Sequence, residues 1–114
     1  MQVLVVDDNI TVLSMIKALL SNEGMMVDIA SSGKEAIHLV SNLDYNVIIM
    51  DLQMPEPDGV ETTRYIRLKE KRPNHIIAFS AFHDNLTTDE IKLFDQVLDK
   101  TEIKNLVQNV LLFR

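Results

Sequence analysis

The chain has 114 residues, with 11 lysines and arginines against 17 aspartates and glutamates, a net charge of −6 and no cysteine. That length suits one domain with its own core, residues 1–114, and the acidic balance argues against nucleic acid or an anionic membrane as the main partner, since both ask for a basic face. The missing cysteine excludes disulfides, thiolate zinc sites and cysteine nucleophiles. No apolar run approaches the ~20 residues of a membrane span, and the first residues lack the basic, apolar and small-residue pattern of a secretory signal. The chain therefore reads as cytoplasmic, without membrane insertion.

In chain order, short apolar runs alternate with longer segments of helical period, the pattern of βα units around a parallel sheet. Strands are expected at "VLVV" (3–6), "MVDIA" (26–30), "NVIIM" (46–50), "HIIAF" (75–79) and "QVL" (96–98). The second strand alternates, with Asp28 interrupting it, as an edge strand would. Helices are expected at 9–23, 33–42, 60–71, 85–94 and 101–113. Gly24 closes the first, Ser32 caps the second, Pro73 stops the third, and Thr101 with Lys104 and Asn105 opens the fifth.

In an open parallel α/β sheet, ligands bind beyond the carboxyl ends of the strands. Asp7 and Asp8 follow the first strand, Asp51 the third, Ser80 the fourth and Lys100 the fifth. Three carboxylates, a hydroxyl and an ammonium group thus converge on one edge. Adjacent carboxylates at a buried strand end repel one another and resist desolvation, and a hard cation that prefers oxygen ligands, Mg²⁺, would make them tolerable. Mg²⁺ on one or two carboxylates leaves positions open for phosphate oxygens, which suits phosphoryl chemistry. Asp51 can then act as a nucleophile toward an incoming phosphoryl group, with Lys100 balancing charge and Ser80 within reach of the transferred oxygens.

The segments "VVDDN", "IIMDLQMPEPDGVE", "AFSA" and "VLDK", in this order, resemble the receiver domain of two-component response regulators over the whole chain. The resemblance implies a flavodoxin-like doubly wound sheet of five parallel strands in the order 2-1-3-4-5, with helices on both faces. It implies that Asp51 is the phosphoacceptor, that Asp7, Asp8, Asp51 and the backbone carbonyl of Gln53 hold Mg²⁺, that Ser80 is the switch hydroxyl, and that Lys100 contacts the phosphoryl group. The implied donor is a phosphohistidine on a histidine kinase or a histidine phosphotransfer protein. In the "MPEPDG" loop, Pro55 and Pro57 stiffen the backbone, and Gly59 is expected to allow a turn with positive φ.

Three features depart from the family pattern. Thr101 follows Lys100 where proline is usual, Val97 stands where many receivers carry an aromatic residue, and no glycine precedes the fifth strand. Gln53 and Phe82, two residues beyond Asp51 and Ser80, overhang the site by resemblance, where a bulky Phe82 would hinder water. On the first helix, Leu13, Ile16 and Leu20 form the core stripe, leaving Val12 and Met15 as an apolar docking patch. His38, His75 and His83 read as surface or loop histidines.

Each assignment has a plainer alternative. Asp7 and Asp8 could cap a helix, Asp51 and Ser80 could simply end strands, Lys100 could be a solvated surface lysine, and neighbouring loops could bury Val12 and Met15. At the level of function, the primary reading is a phosphoacceptor switch. One rival is a receiver-like interaction module that is never phosphorylated; the other is a phosphohydrolase with an aspartate nucleophile, disfavoured because Gln53 stands where a second carboxylate is usual.

Overall fold

The computed structural model describes residues 1–69 and 74–113. Elements run β1 (Gln2–Val6), α1 (Ile10–Asn22), β2 (Met26–Ala30), α2 (Gly33–Asn42), β3 (Val47–Met50), α3 (Gly59–Lys69), β4 (His75–Phe79), α4 (Thr88–Ile91), β5 (Gln96–Leu98) and α5 (Ile103–Leu111). The strands form one parallel sheet in the order β2-β1-β3-β4-β5, with β2 at an edge as its alternating pattern requires.

Successive side chains of a strand point to opposite faces, so an interior strand that is covered twice must be apolar throughout. In β1, Val3 and Val5 join the core beneath α1 and α5, together with Leu13, Ile16, Leu20, Leu106 and Val110. Leu4 and Val6 join the opposite core with Ala36 of α2 and Ile66 of α3. Each fully buried aliphatic side chain contributes about 1.5–3 kcal/mol. That two-sided burial holds β1, β3 and β4 in register and so fixes what lies at their ends.

Local signals explain most helix boundaries. Asn9 caps α1, its side-chain oxygen accepting from the Thr11 and Val12 amides. Gly24, at φ +84°, ends it in a Schellman arrangement: Met25 N–H donates to Leu20 O, and Gly24 N–H to Ser21 O. Ser32 accepts from the Glu35 amide at the start of α2.

Several expectations are corrected. Between residues 85 and 94 the chain is helical only over Thr88–Ile91, starting at a capping box of Thr87 and Glu90. The preceding polar residues favour turns over helix. Leu86, Leu93 and Phe94 nevertheless pack on the core without a long helix to carry them. The fifth helix begins at Ile103 rather than 101, because Thr101 directs its amide and hydroxyl to Asp99 and Glu102 occupies the cap position. Gly59 has no positive φ; the Asp51 carbonyl lies where its Cβ would be, so close approach, not turn conformation, demands glycine. Pro73, expected to stop the third helix, lies outside the described residues. No glycine precedes β5; Asp95 joins that segment to β4, donating its N–H to Ile76 O at 2.8 Å and accepting Ile76 N–H on Oδ2 at 2.8 Å. Arg67 anchors the same carboxylate at 3.0 Å.

Candidate active site

The backbone ladder continues one residue past three strands. Asp7 N–H donates to Ala30 O at 3.1 Å, Asp51 N–H to Val6 O at 2.9 Å, and Ser80 N–H to Leu98 O at 3.1 Å. Asp7, Asp51 and Ser80 are thus held by the sheet itself, and all three are buried. Residues 7, 8, 51, 53, 80 and 100 gather at one end of the sheet, around an open cleft of about 290 Å³ lined by Asp8, Asn9, Asp51, Gln53, Ser80, Ala81, Phe82 and Lys100.

Lys100 Nζ reaches 2.8 Å from Asp7 Oδ2 and 3.4 Å from Asp51 Oδ2. Burial, and then the neighbouring Asp7 charge, push the Asp51 carboxyl above its ordinary range; Lys100, the Gln53 amide and the Ser80 hydroxyl oppose the rise without cancelling it. For Lys100, burial pulls the ammonium down, but its hydrogen bond to Asp7 and the charges of Asp51 and Asp7 win, leaving it above its usual value. One lysine therefore does not neutralise this site.

A cation would complete the balance. One carboxylate oxygen from each of Asp7, Asp8 and Asp51 lies within 4.8 Å of the other two. An all-oxygen set with one exposed member, Asp8, fits a hard divalent ion that keeps some of its water. Gln53 borders the cleft and donates its amide to Asp51 Oδ1 over a long 3.4 Å. Ser80 Oγ accepts from the Phe82 amide at 3.3 Å, and Phe82, 58% exposed, leans over the mouth.

The first helix corrects the docking patch. Val12 is half-buried against the core beneath α1, whereas Met15 is exposed, as are Ile10 and Leu19, which sequence reasoning did not select. Because Asn9 is the cap, Ile10 occupies the first helical position and projects away from the sheet; recognising that cap would have revealed it. Asn9 also borders the cleft. Neither Asp7 nor Asp8 caps α1; Asp7 Oδ1 accepts the Asn9 amide instead.

Two histidines are not bystanders. His75 opens β4, half-buried, its ring 3.9 Å from that of Phe113. His83 holds Asp99, the residue before Lys100, at 3.1 Å. The run Asp99-Lys100-Thr101-Glu102 has Asx-type bonding potential, a sequence signal by which that turn could have been found.

Comparison with known proteins agrees with this architecture. Residues 3–110 match the family model of the response regulator receiver domain. This chain belongs to that family. The receiver is 30% identical to histidine kinase 5 of Arabidopsis thaliana over 96% of the chain and 12% of the relative. It is 37% identical to the osmosensing histidine kinase SLN1 of Saccharomyces cerevisiae over 78% of the chain and 8% of the relative. The chain thus spans only a small part of the curated kinases it matches; the first three relatives are covered over 10%, 4% and 8% of their length. Among solved structures, the response regulator TrrA of Thermotoga maritima, in complex with Mg²⁺ and BeF, superposes with a TM-score of 0.89 at 28% identity, covering 99% of this chain and 98% of that one. The receiver is of the kind found in hybrid histidine kinases and response regulators, with the flavodoxin-like fold expected from its βα pattern.

Proposed function

We propose that Asp51 accepts a phosphoryl group from a phosphohistidine on a histidine kinase or a histidine phosphotransfer protein, and that the receiver works as a switch in a cytoplasmic phosphorelay with no nucleic-acid partner of its own. The observation that carries this reading is the buried Asp51 carboxylate, set against Asp7 and 3.4 Å from Lys100 Nζ at the mouth of an open cleft. A carboxylate oxygen of Asp51 attacks phosphorus as the phosphorus–nitrogen bond of phosphohistidine breaks, its electron pair remaining on the imidazole. The product is a mixed anhydride on Asp51.

Asp7, Asp8, Asp51 and the backbone carbonyl of Gln53 are the proposed ligands of Mg²⁺. When bound, the ion supplies positive charge for the carboxylates and for the oxygens in transfer. Lys100 exchanges part of its contact with Asp7 for the new phosphoryl oxygens, and Ser80 turns its hydroxyl toward them. Those contacts exist only in the phosphorylated state, so they bias a conformational equilibrium of the Ser80 loop. Ala81 is small and leaves the entrance clear.

The test is intact mass after incubation with a small acyl phosphate and Mg²⁺, beside Asp51→Asn and a chelator. Gain of one phosphoryl group, lost in both controls, is the expected result. No gain in a folded, Mg²⁺-binding protein, repeated with a phosphohistidine donor, would turn the assignment to an interaction module.

A further inference from the structure

Ser80 and Lys100, the two groups meant to engage the phosphoryl oxygens, stand on different loops, and the structure ties those loops together just outside the site. The tie begins in the backbone, where Ser80 N–H donates to Leu98 O at 3.1 Å. One step further out, His83 Nε2 lies 3.1 Å from Asp99 Oδ2. The other oxygen of Asp99 accepts both the amide of Thr101 at 2.9 Å and its hydroxyl at 2.8 Å. The Asp99 amide donates to Glu102 Oε2 at 2.9 Å, and the Glu102 amide to Asp99 O at 2.9 Å. Asp99 thus closes the turn on both sides of Lys100 with one carboxylate oxygen and reaches across to the Ser80 loop with the other. The second ring nitrogen of His83 faces Asp84 Oδ1 at 3.3 Å, which orients the ring from its own loop.

We propose that Asp99 is a positioning residue for Lys100, and that the His83–Asp99 contact is a latch through which the Ser80 loop and the Lys100 turn adjust together. The proposal rests on the reading of Asp51 as phosphoacceptor. A lysine side chain is long and rotamer-rich, so aiming its ammonium at two carboxylates requires a fixed backbone beneath it. Thr101 provides no ring constraint on that backbone; the bonds it makes to Asp99 do the work instead. Val97, half-buried against the core, brings no polar group to join the two loops. His83–Asp99 is the side-chain hydrogen bond that joins them among the described residues.

The experiment compares wild type, Asp99→Ala, His83→Ala, His83→Gln and Asp51→Asn in the full chain. Initial phosphorylation rates with acyl phosphate are measured as a function of donor and Mg²⁺, with thermal unfolding as a control. Asp99→Ala is expected to lower the maximal rate about tenfold, with little change in the Mg²⁺ concentration at half-saturation, because a misaimed Lys100 is missed in the transition state. His83→Ala is expected to cost about threefold, and His83→Gln, which keeps a donor, to recover most of it. The His83 ring signals in NMR should shift when Mg²⁺ and beryllofluoride are added to wild type, and stay fixed in Asp99→Ala. Wild-type rates in folded His83→Ala and Asp99→Ala, with Asp51→Asn inactive, would overturn the latch and leave the phosphoacceptor standing. Should Asp99→Ala fail to fold, Asp99→Asn takes its place in both the rate and the NMR measurements. Phosphorylation that persists in Asp51→Asn would instead remove the parent reading, and the latch with it.

Discussion

Lys100 Nζ sits closer to Asp7, at 2.8 Å, than to the proposed nucleophile Asp51, at 3.4 Å. The lysine therefore rests on Asp7 and keeps its remaining N–H donors turned toward Asp51. Both carboxylates are almost wholly buried, so the ammonium group supplies counter-charge where water does not reach.

Removing that ammonium group leaves two buried carboxylates without their counter-charge. Lys100→Ala is expected to lower the unfolding free energy by about 2 kcal/mol without metal, and saturating Mg²⁺ to recover part of the loss. Urea titration with and without Mg²⁺ measures both. Phosphorylation should fall at every Mg²⁺ concentration.

The raised Asp51 carboxyl makes stability depend on pH in a definite direction. A group whose folded pKa lies above its unfolded value, here 3.8, contributes fully below the unfolded value, and that contribution is lost as pH rises through the folded one. In chelator, Asp51→Asn should therefore be more stable than wild type at neutral pH, with the gap closing toward about pH 4. Melting temperatures of the two proteins across that range provide the check; a gap that widens on acidification would contradict the assignment.

Glycine substitutions should separate shape from conformation. At Gly24, a Cβ has free space but φ is +84°, so Gly24→Ala should cost about 1 kcal/mol and leave phosphorylation untouched. At Gly59, a Cβ would collide with the Asp51 carbonyl, so Gly59→Ala should cost about 1–3 kcal/mol and also slow phosphorylation by displacing the acceptor. Denaturation curves and initial rates distinguish the two variants.

Phe82, exposed at the mouth of the cleft, is expected to shield the phosphoryl group from water. Phe82→Ala should shorten its lifetime by roughly threefold, a barrier change of under ~1 kcal/mol, with the rate of phosphorylation preserved. Decay of the intact-mass shift after removal of donor reports the lifetime directly.

Much of this was legible in the sequence because a parallel sheet converts chain position into spatial position. A continuous apolar run announces an interior strand, and whatever follows it arrives at one edge; Asp7, Asp51 and Ser80 were found that way, and hydrogen bonds to the neighbouring strands explain why. Features set by single side-chain bonds between polar loops were not legible. His83 and Asp99 lie 16 residues apart with no periodic trace of their contact. The length expected of α4 exceeds the observed one because Phe94 is buried, and Leu86 and Leu93 partly so, without being helical. Gly59 was recognised as necessary, but for a conformational reason, since the approach of the Asp51 carbonyl leaves no mark on the sequence.

The two remaining glycines bracket the loop after Asp51: Gly59 lies against the Asp51 carbonyl, and the Cβ that Gly33 lacks would meet Pro57 O at 2.7 Å and Pro57 Cγ at 2.8 Å. The stiffness of that loop is subtractive, achieved by atoms left out on either side. At those two helix starts any side chain would press on the loop whatever its polarity, so the volume of a single methyl group is enough to disturb the segment that follows Asp51.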